Sequence, residues 1–233
     1  AQSRYDGKLN ALPMMSTSAG AHVPERWLRT DWWEKLVLSD PQNYAQLRAV
    51  MEAFVSQDPD GNGVDDTYGI VFTKSPWSTN FHMDGFFNIF GAHPKSEFWV
   101  QDPENPDQVV YGAFQPEVKA ALAELRGLYA EGLLHPEFAI FDEAAAREVY
   151  ASGKCGVLLG AVYAPNSVLY ASHDLDANAD WHALAVPGLE GPTTRVTASI
   201  PVSSYLVFSK DFEHPEAVLK MINLQFDKCF GEN

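Results

Sequence analysis

The sequence predicts an α/β protein. Three observations carry this. Short apolar runs of strand length occur at Tyr68–Phe72, Val157–Leu159 and Tyr205–Phe208. They alternate with segments whose apolar residues recur at helical spacing. Gly, Pro, Asn and Asp separate the two kinds of segment, and strands that alternate with helices argue for α/β architecture. Hydrophobic residues make up 46% of the 233, enough for a substantial core in one large or two small domains.

Lys8 to Pro13 alternates apolar and polar positions like a short strand, with Asp6-Gly7 as the turn before it. Trp27 to Arg29 is a second short strand. Thr30 or Asp31 then caps a helix carrying Trp32, Trp33, Leu36 and Leu38. Asp40-Pro41 starts the next helix, with Pro in its first turn. Its apolar face is Tyr44, Leu47, Val50, Met51 and Phe54. Residues 75–115 are rich in aromatics, Gly, Asn and Pro. They show weak periodicity and read as loops and short elements, with a strand at Val109 to Phe114. Pro116 begins the clearest helix, striped by Val118, Ala121, Leu122, Leu125, Leu128 and Tyr129 and stopped at Gly132. A shorter helix spans Glu143 to Ala151, and a strand Trp181 to Val186. His214-Pro215 starts a last helix through Phe230.

The formal net charge is −15, from 31 acidic against 16 basic residues. That balance opposes nucleic-acid binding, which needs Lys and Arg to neutralise phosphates. No run of about 18 apolar residues occurs, so nothing in the chain is expected to insert into a membrane. The first residues, AQSRYDGKLN, have neither the charged region nor the apolar region of a signal peptide. Cys155 and Cys229 lack metal-ligand spacing and read as separate thiols, although spacing alone leaves a disulfide open. No HExxH, GxSxG, P-loop or GxGxxG pattern occurs.

One run stands out: DPDGNGVDDTYG, residues 58–69. Asp58, Asp60, Asn62 and Asp66 place oxygen side chains at loop positions 1, 3, 5 and 9, and Val64 offers a carbonyl at position 7. Gly63 occupies position 6, where a calcium loop turns sharply. Calcium takes about six to eight oxygens from such a loop. An EF-hand would add an outgoing helix and a Glu at position 12, but Gly69 stands there and a strand follows. The alternative is an Asp/Gly turn without a cation.

Six Trp, nine Tyr and fourteen Phe are many for this length. Aromatic faces stack on sugar rings, while Asn, Asp and Arg bind hydroxyls. Trp32 and Trp181 lie in periodic segments and read as core. Trp77 and Tyr163 lie in Pro-containing polar loops and read either as stacking platforms for a carbohydrate or as core. Asn80, Asn166 and Arg29 are its candidate hydroxyl or carboxylate partners. Phe86 is a candidate wall, with a core position as the alternative.

The order DGKLNALP, WLRTDWWEKL, QDPDGNGVDDTYGI, VYGAFQPEVKAALAELRGLYAEGLLHPEF, ASGKCGVLLG and SYLVFSKDFEHPEAVLKMIN resembles extracellular solute-binding proteins of ABC transporters. More narrowly, it resembles the oligosaccharide-binding lipoprotein members. The match covers nearly the whole chain. It implies an α/β, periplasmic-binding-protein type II (Venus flytrap) fold that holds ligand at a cleft between lobes. It also implies a partner permease, no catalysis, and an extracellular location as an anchored lipoprotein. Alginate-binding relatives have a structural calcium loop, which maps onto Asp58, Asp60, Asn62, the Val64 carbonyl and Asp66. Their position-10 acid is Thr67 here, so Asp66 would bind through both oxygens or water would complete the shell.

Members of that family are roughly twice as long. The chain is therefore expected to hold mainly the second lobe. Residues 1–22 are expected to form a hinge strand and a piece of lobe 1, and residues 23–196 lobe 2. Residues 197–233 would be a return strand and helix of lobe 1. Two other readings stand beside this one. One is a secreted carbohydrate-active enzyme with a structural calcium, whose two carboxyls must lie about 5–9 Å apart in space. The other is a calcium-dependent interaction module.

Overall fold

The structure, a computed structural model, describes residues 3–6, 8–15, 23–78, 80–95, 99–102, 104–196 and 202–231. In chain order the strands and helices are β1 (Arg4–Tyr5), β2 (Lys8–Leu9), β3 (Leu12–Met15), β4 (Glu25–Arg29), α1 (Thr30–Lys35), α2 (Tyr44–Ser56), β5 (Tyr68–Ile70), α3 (Met83–Ile89), β6 (Trp99–Gln101), β7 (Val109–Tyr111), α4 (Pro116–Ala130), α5 (Glu143–Ala151), β8 (Cys155–Gly160), α6 (Tyr170–Leu175), β9 (Trp181–Leu184), β10 (Val202–Leu206) and α7 (Pro215–Phe230). The chain divides into two units, Gly20–Ser199 and a smaller one of Ala1–Ala19 with Ile200–Asn233.

The larger unit is built on a four-stranded sheet in the order β5-β8-β4-β9. β5 and β8 are parallel, while β4 runs antiparallel to both β8 and β9. Both faces are covered, so β8 is buried along its whole length. Leu28, Val157 and Leu159 face a core made with Trp32, Leu47, Phe54, Phe86 and Leu128. Trp27 and Leu158 face a second core made with Val149, Tyr150, Val168 and Leu169. Gly156 is required where β8 passes under α2: a Cβ there would lie 2.4 Å from Phe54 Cδ2 and 2.8 Å from Trp32 Cε3.

Two local expectations change. α1 starts at Thr30, but neither Thr30 nor Asp31 caps it. The Thr30 hydroxyl donates to Asp180 Oδ2 (2.7 Å), and the Asp31 carboxylate accepts from Arg29, so tertiary partners take both groups. α2 starts at Tyr44 rather than at Pro41, and Asn43 caps it by accepting from Gln46 N (3.0 Å). Asp40 and the Pro41 carbonyl instead receive the buried Arg26 guanidinium. Residues 83–89, inside the stretch expected as loops and short elements, form the helix α3. Met83, Gly85, Phe86, Phe87, Asn88 and Ile89 are buried and only Asp84 is partly exposed, so the helix shows too narrow a polar side to leave a readable period.

In the smaller unit β1 pairs with β2 and β3 pairs antiparallel with β10, with Leu12 opposite Leu206. The Gly7 of the expected turn lies outside the described residues. Cys155 is a buried free thiol and Cys229 an exposed one. Among the described residues no helix is long and apolar enough to cross a membrane.

Candidate functional site

Because β5 and β8 are parallel, their carboxyl ends share one edge of the sheet. The antiparallel β4 brings its amino end there, with Glu25 opposite Gly160, and β9 brings its carboxyl end. The loops 71–82, 161–169 and 185–196 and the approach to β4 therefore meet at one edge. Open α/β sheets hold ligands at such strand ends.

Asn80 sits where two of these loops join. Its amide nitrogen donates to Glu143 Oε2 (2.7 Å), and the Ser167 hydroxyl donates to its Oδ1 (3.4 Å). The Ser78 hydroxyl donates to the other Glu143 oxygen (2.6 Å). Glu143 is the first residue of α5 and thereby pins the 71–82 loop. Asn166 N donates to the Tyr163 carbonyl (3.0 Å) in the turn after β8. Tyr163 is half-buried and Asn166 exposed. Trp77 is half-buried too, its ring 6.1 Å from that of Phe87.

Beside these loops is a cavity of about 400 Å³ lined by Pro24, Glu25, Leu184, Val186, Thr193 and Thr194. Glu25 Oε2 is buried without a hydrogen-bond partner, and burial pushes this carboxyl above the usual range. A second cavity of about 650 Å³ shares Thr194 and is lined by His93, Gln101, Asp102 and Arg195. Burial, helped by the Arg195 charge, holds His93 below the usual imidazole range. Sequence reading missed Glu25. Its only signal is an acid between Pro24 and an apolar strand, which does not reveal depth.

Two expected site residues lie elsewhere. Arg29 ends β4, four residues beyond Glu25, about 13 Å away at the strand rise. It is 1% exposed, binds Asp31 through Nε and Nη2 (2.7 and 2.6 Å), reaches Asp176 (3.1 Å) and lies 4.6 Å from the Trp32 ring. Its Nε and Nη2 are committed to these two carboxylates, while its Nη1 is buried without a hydrogen-bond partner. Phe86, 1% exposed, packs against Tyr44, Phe72, Phe87 and Phe90 and has no ring face left for a ligand.

The 58–66 loop occupies the opposite edge, since it feeds the amino end of β5. Asp58, with φ +46°, accepts from Gly61 N, Asn62 N and Gly63 N, each at 3.0 Å. Asn62 Nδ2 donates to Asp60 Oδ2 (2.8 Å) and Asp66 Oδ1 (3.2 Å), drawing three side chains to one point. Lys154 Nζ pairs with Asp66 Oδ2 (2.9 Å), and this bond holds the Asp66 carboxyl below its usual range. Burial first, then the neighbouring Asp58 and Asp66, raise Asp60. The Val64 carbonyl accepts from Asp66 N (3.0 Å). Thr67 is buried and its hydroxyl donates to the Phe54 carbonyl (2.7 Å), so it ties the loop to α2. Among the described residues no three His, Cys, Asp or Glu side chains form a metal cage. The candidate donors are all oxygen, the kind a hard divalent cation takes, but here Asp60 and Asp66 converge on the Asn62 Nδ2 donor, and the Asn62 oxygen accepts from Val64 N (2.7 Å).

Residues 5–227 match one family model, described as bacterial extracellular solute-binding protein. The chain belongs to this family. Lipoprotein LipO of Bacillus subtilis is 30% identical to this chain over 211 residues, covering 86% of the chain and 39% of LipO. Among solved structures, the Streptococcus pneumoniae ABC-transporter substrate-binding protein FusA in complex with kestose superposes with a TM-score of 0.71 at 22% identity. That match covers 94% of this chain and 44% of FusA. An EF-hand mutant of the same Streptococcus pneumoniae FusA, in complex with fructo-nystose, gives a TM-score of 0.69 at 22% identity, with 94% of this chain and 44% of that one covered. Alginate-binding protein AlgQ2, solved without calcium ion, gives 0.65 at 17% identity, covering 98% of this chain and 47% of AlgQ2. The fold is the expected α/β, Venus-flytrap type. The chain spans less than half the length of these relatives.

Proposed function

We propose that this chain is part of a non-catalytic extracellular solute-binding component of an ABC importer, and that it captures an oligosaccharide. The observation that carries the reading is the loop-lined sheet edge, where Glu25 presents a buried, unpartnered carboxylate oxygen beside the cavity. A sugar hydroxyl would satisfy that oxygen, and an unmade buried hydrogen bond is costly. Trp77 and Tyr163 serve as stacking platforms, and Asn80 and Asn166 as hydroxyl partners. Arg29 and Phe86 take no part. The Gly20–Ser199 unit corresponds to the second lobe and the smaller unit to pieces of the first. Ligand passes from here to a membrane permease, and the full-length protein is an extracellular lipoprotein, as the likeness to LipO suggests.

The 58–66 loop holds a structural Ca²⁺ through Asp58, Asp60, Asn62, the Val64 carbonyl and Asp66. That a FusA variant is described as an EF-hand mutant, and AlgQ2 as solved without calcium ion, supports this reading. The ion would supply positive charge that fixes the end of α2 relative to β5.

The test is a thermal-shift screen of the full-length protein against neutral and acidic oligosaccharides, peptides and metal chelates. A concentration-dependent rise with at least one oligosaccharide is expected. A rise with peptides or chelates alone overturns the carbohydrate reading.

A further inference from the structure

The 58–66 loop carries its own counter-charge. Lys154, just before β8, binds Asp66 Oδ2 at 2.9 Å. The other Asp66 oxygen accepts from Asn62 Nδ2 at 3.2 Å. Both oxygens therefore already face N–H donors. After Asp66 the loop offers no further carboxylate: Thr67 and Gly69 follow, and the Thr67 hydroxyl is committed to Phe54. Lys35, at the end of α1, also reaches the loop, but only through the carbonyls of Pro59 (2.8 Å) and Asp58 (3.5 Å).

We propose that Lys154 is a built-in competitor for the cation. It holds Asp66 while the loop is empty and gives that carboxylate up when a divalent cation binds, so it sets the loop's calcium affinity from outside the loop. The inference rests on the calcium reading above. Its physical basis is that a monovalent ammonium and a divalent cation cannot both take full benefit of one carboxylate, and each repels the other. Lys154 and Asp66 are only partly exposed, so solvent does not erase the effect.

The experiment is calorimetric titration of the chain with calcium chloride at low ionic strength, for the wild type, Lys154→Gln, Lys154→Arg and Lys35→Gln. Lys154→Gln is expected to bind calcium about two- to fivefold more tightly, the factor a partly exposed ion pair carries. It should also melt lower than wild type in chelator and converge with it at saturating calcium. Lys154→Arg should stay near wild type, and Lys35→Gln should tighten binding less than Lys154→Gln. Unchanged or weaker calcium binding by Lys154→Gln overturns the proposal while leaving the calcium site standing. Equal tightening by Lys35→Gln also overturns it, because the effect would then be general charge rather than competition for Asp66. If neither wild type nor Lys154→Gln binds calcium, the site and the proposal fall together.

Discussion

Replacing Arg29 by Met separates a scaffold role from a ligand-binding one. Arg29 is 1% exposed and makes three charged hydrogen bonds, to Asp31 and Asp176. Breaking a buried ion pair costs about 3–5 kcal/mol when the stranded partner stays buried. Here Asp31 and Asp176 keep 23% and 45% of their side chains exposed, so water recovers part of that cost. About 2–3 kcal/mol should remain, from the lost bidentate pair and the lost contact with Trp32. A unit of this size loses roughly 2–4 °C per kcal/mol, so melting should fall by about 4–12 °C. Circular dichroism melts read this directly. Oligosaccharide affinity, measured well below the melt in the full-length protein, should be unchanged. A melting temperature within about 1 °C of wild type, or a loss of affinity with stability kept, would refute the placement of Arg29 in the scaffold.

Other expected outcomes follow from single contacts. Gly156→Ala should lower the urea midpoint by the equivalent of about 1–3 kcal/mol, because the new methyl meets the buried Phe54 and Trp32 rings; an unchanged midpoint contradicts that packing. Burial lowers the His135 pKa between Tyr68 and Phe141, so the unfolded chain binds this proton more readily than the folded one. Its contribution is then fully present above about pH 6.5 and lost as pH falls below it. His135→Phe should flatten that part of the stability profile, and an unaltered slope would exclude His135 as its source. Asp58→Ala with Asp60→Ala should abolish any rise in melting temperature on adding calcium. A wild type indifferent to both calcium and chelator would make the loop an ordinary turn.

Much of the fold was legible because α2, α4 and α5 each show one buried face, and such faces leave a period in the sequence. α3 was not, because burial of every residue but Asp84 removes the period. Caps failed where a distant group outbid the local one, as Asp180 did for Thr30. The 58–66 loop could be read because its chemistry is local and spaced along the chain. The sheet-edge site was harder. Asn80 and Tyr163 follow β5 and β8, whose parallel pairing brings the two loops together. Residue type does not say which end of a strand a side chain occupies, so Arg29 could be named as a candidate without its place in β4. Only the antiparallel register of β4 against β8 puts Glu25, and not Arg29, at that edge.

The decisive measurement is calorimetry of the full-length protein with the best oligosaccharide from the screen, comparing wild type with Glu25→Gln, Asn80→Ala and Trp77→Ala. Each substitution should weaken binding at least several-fold, without a matching loss of thermal stability for Glu25→Gln. Binding that survives all three substitutions unchanged would place the sugar elsewhere and contradict the assignment of this sheet edge.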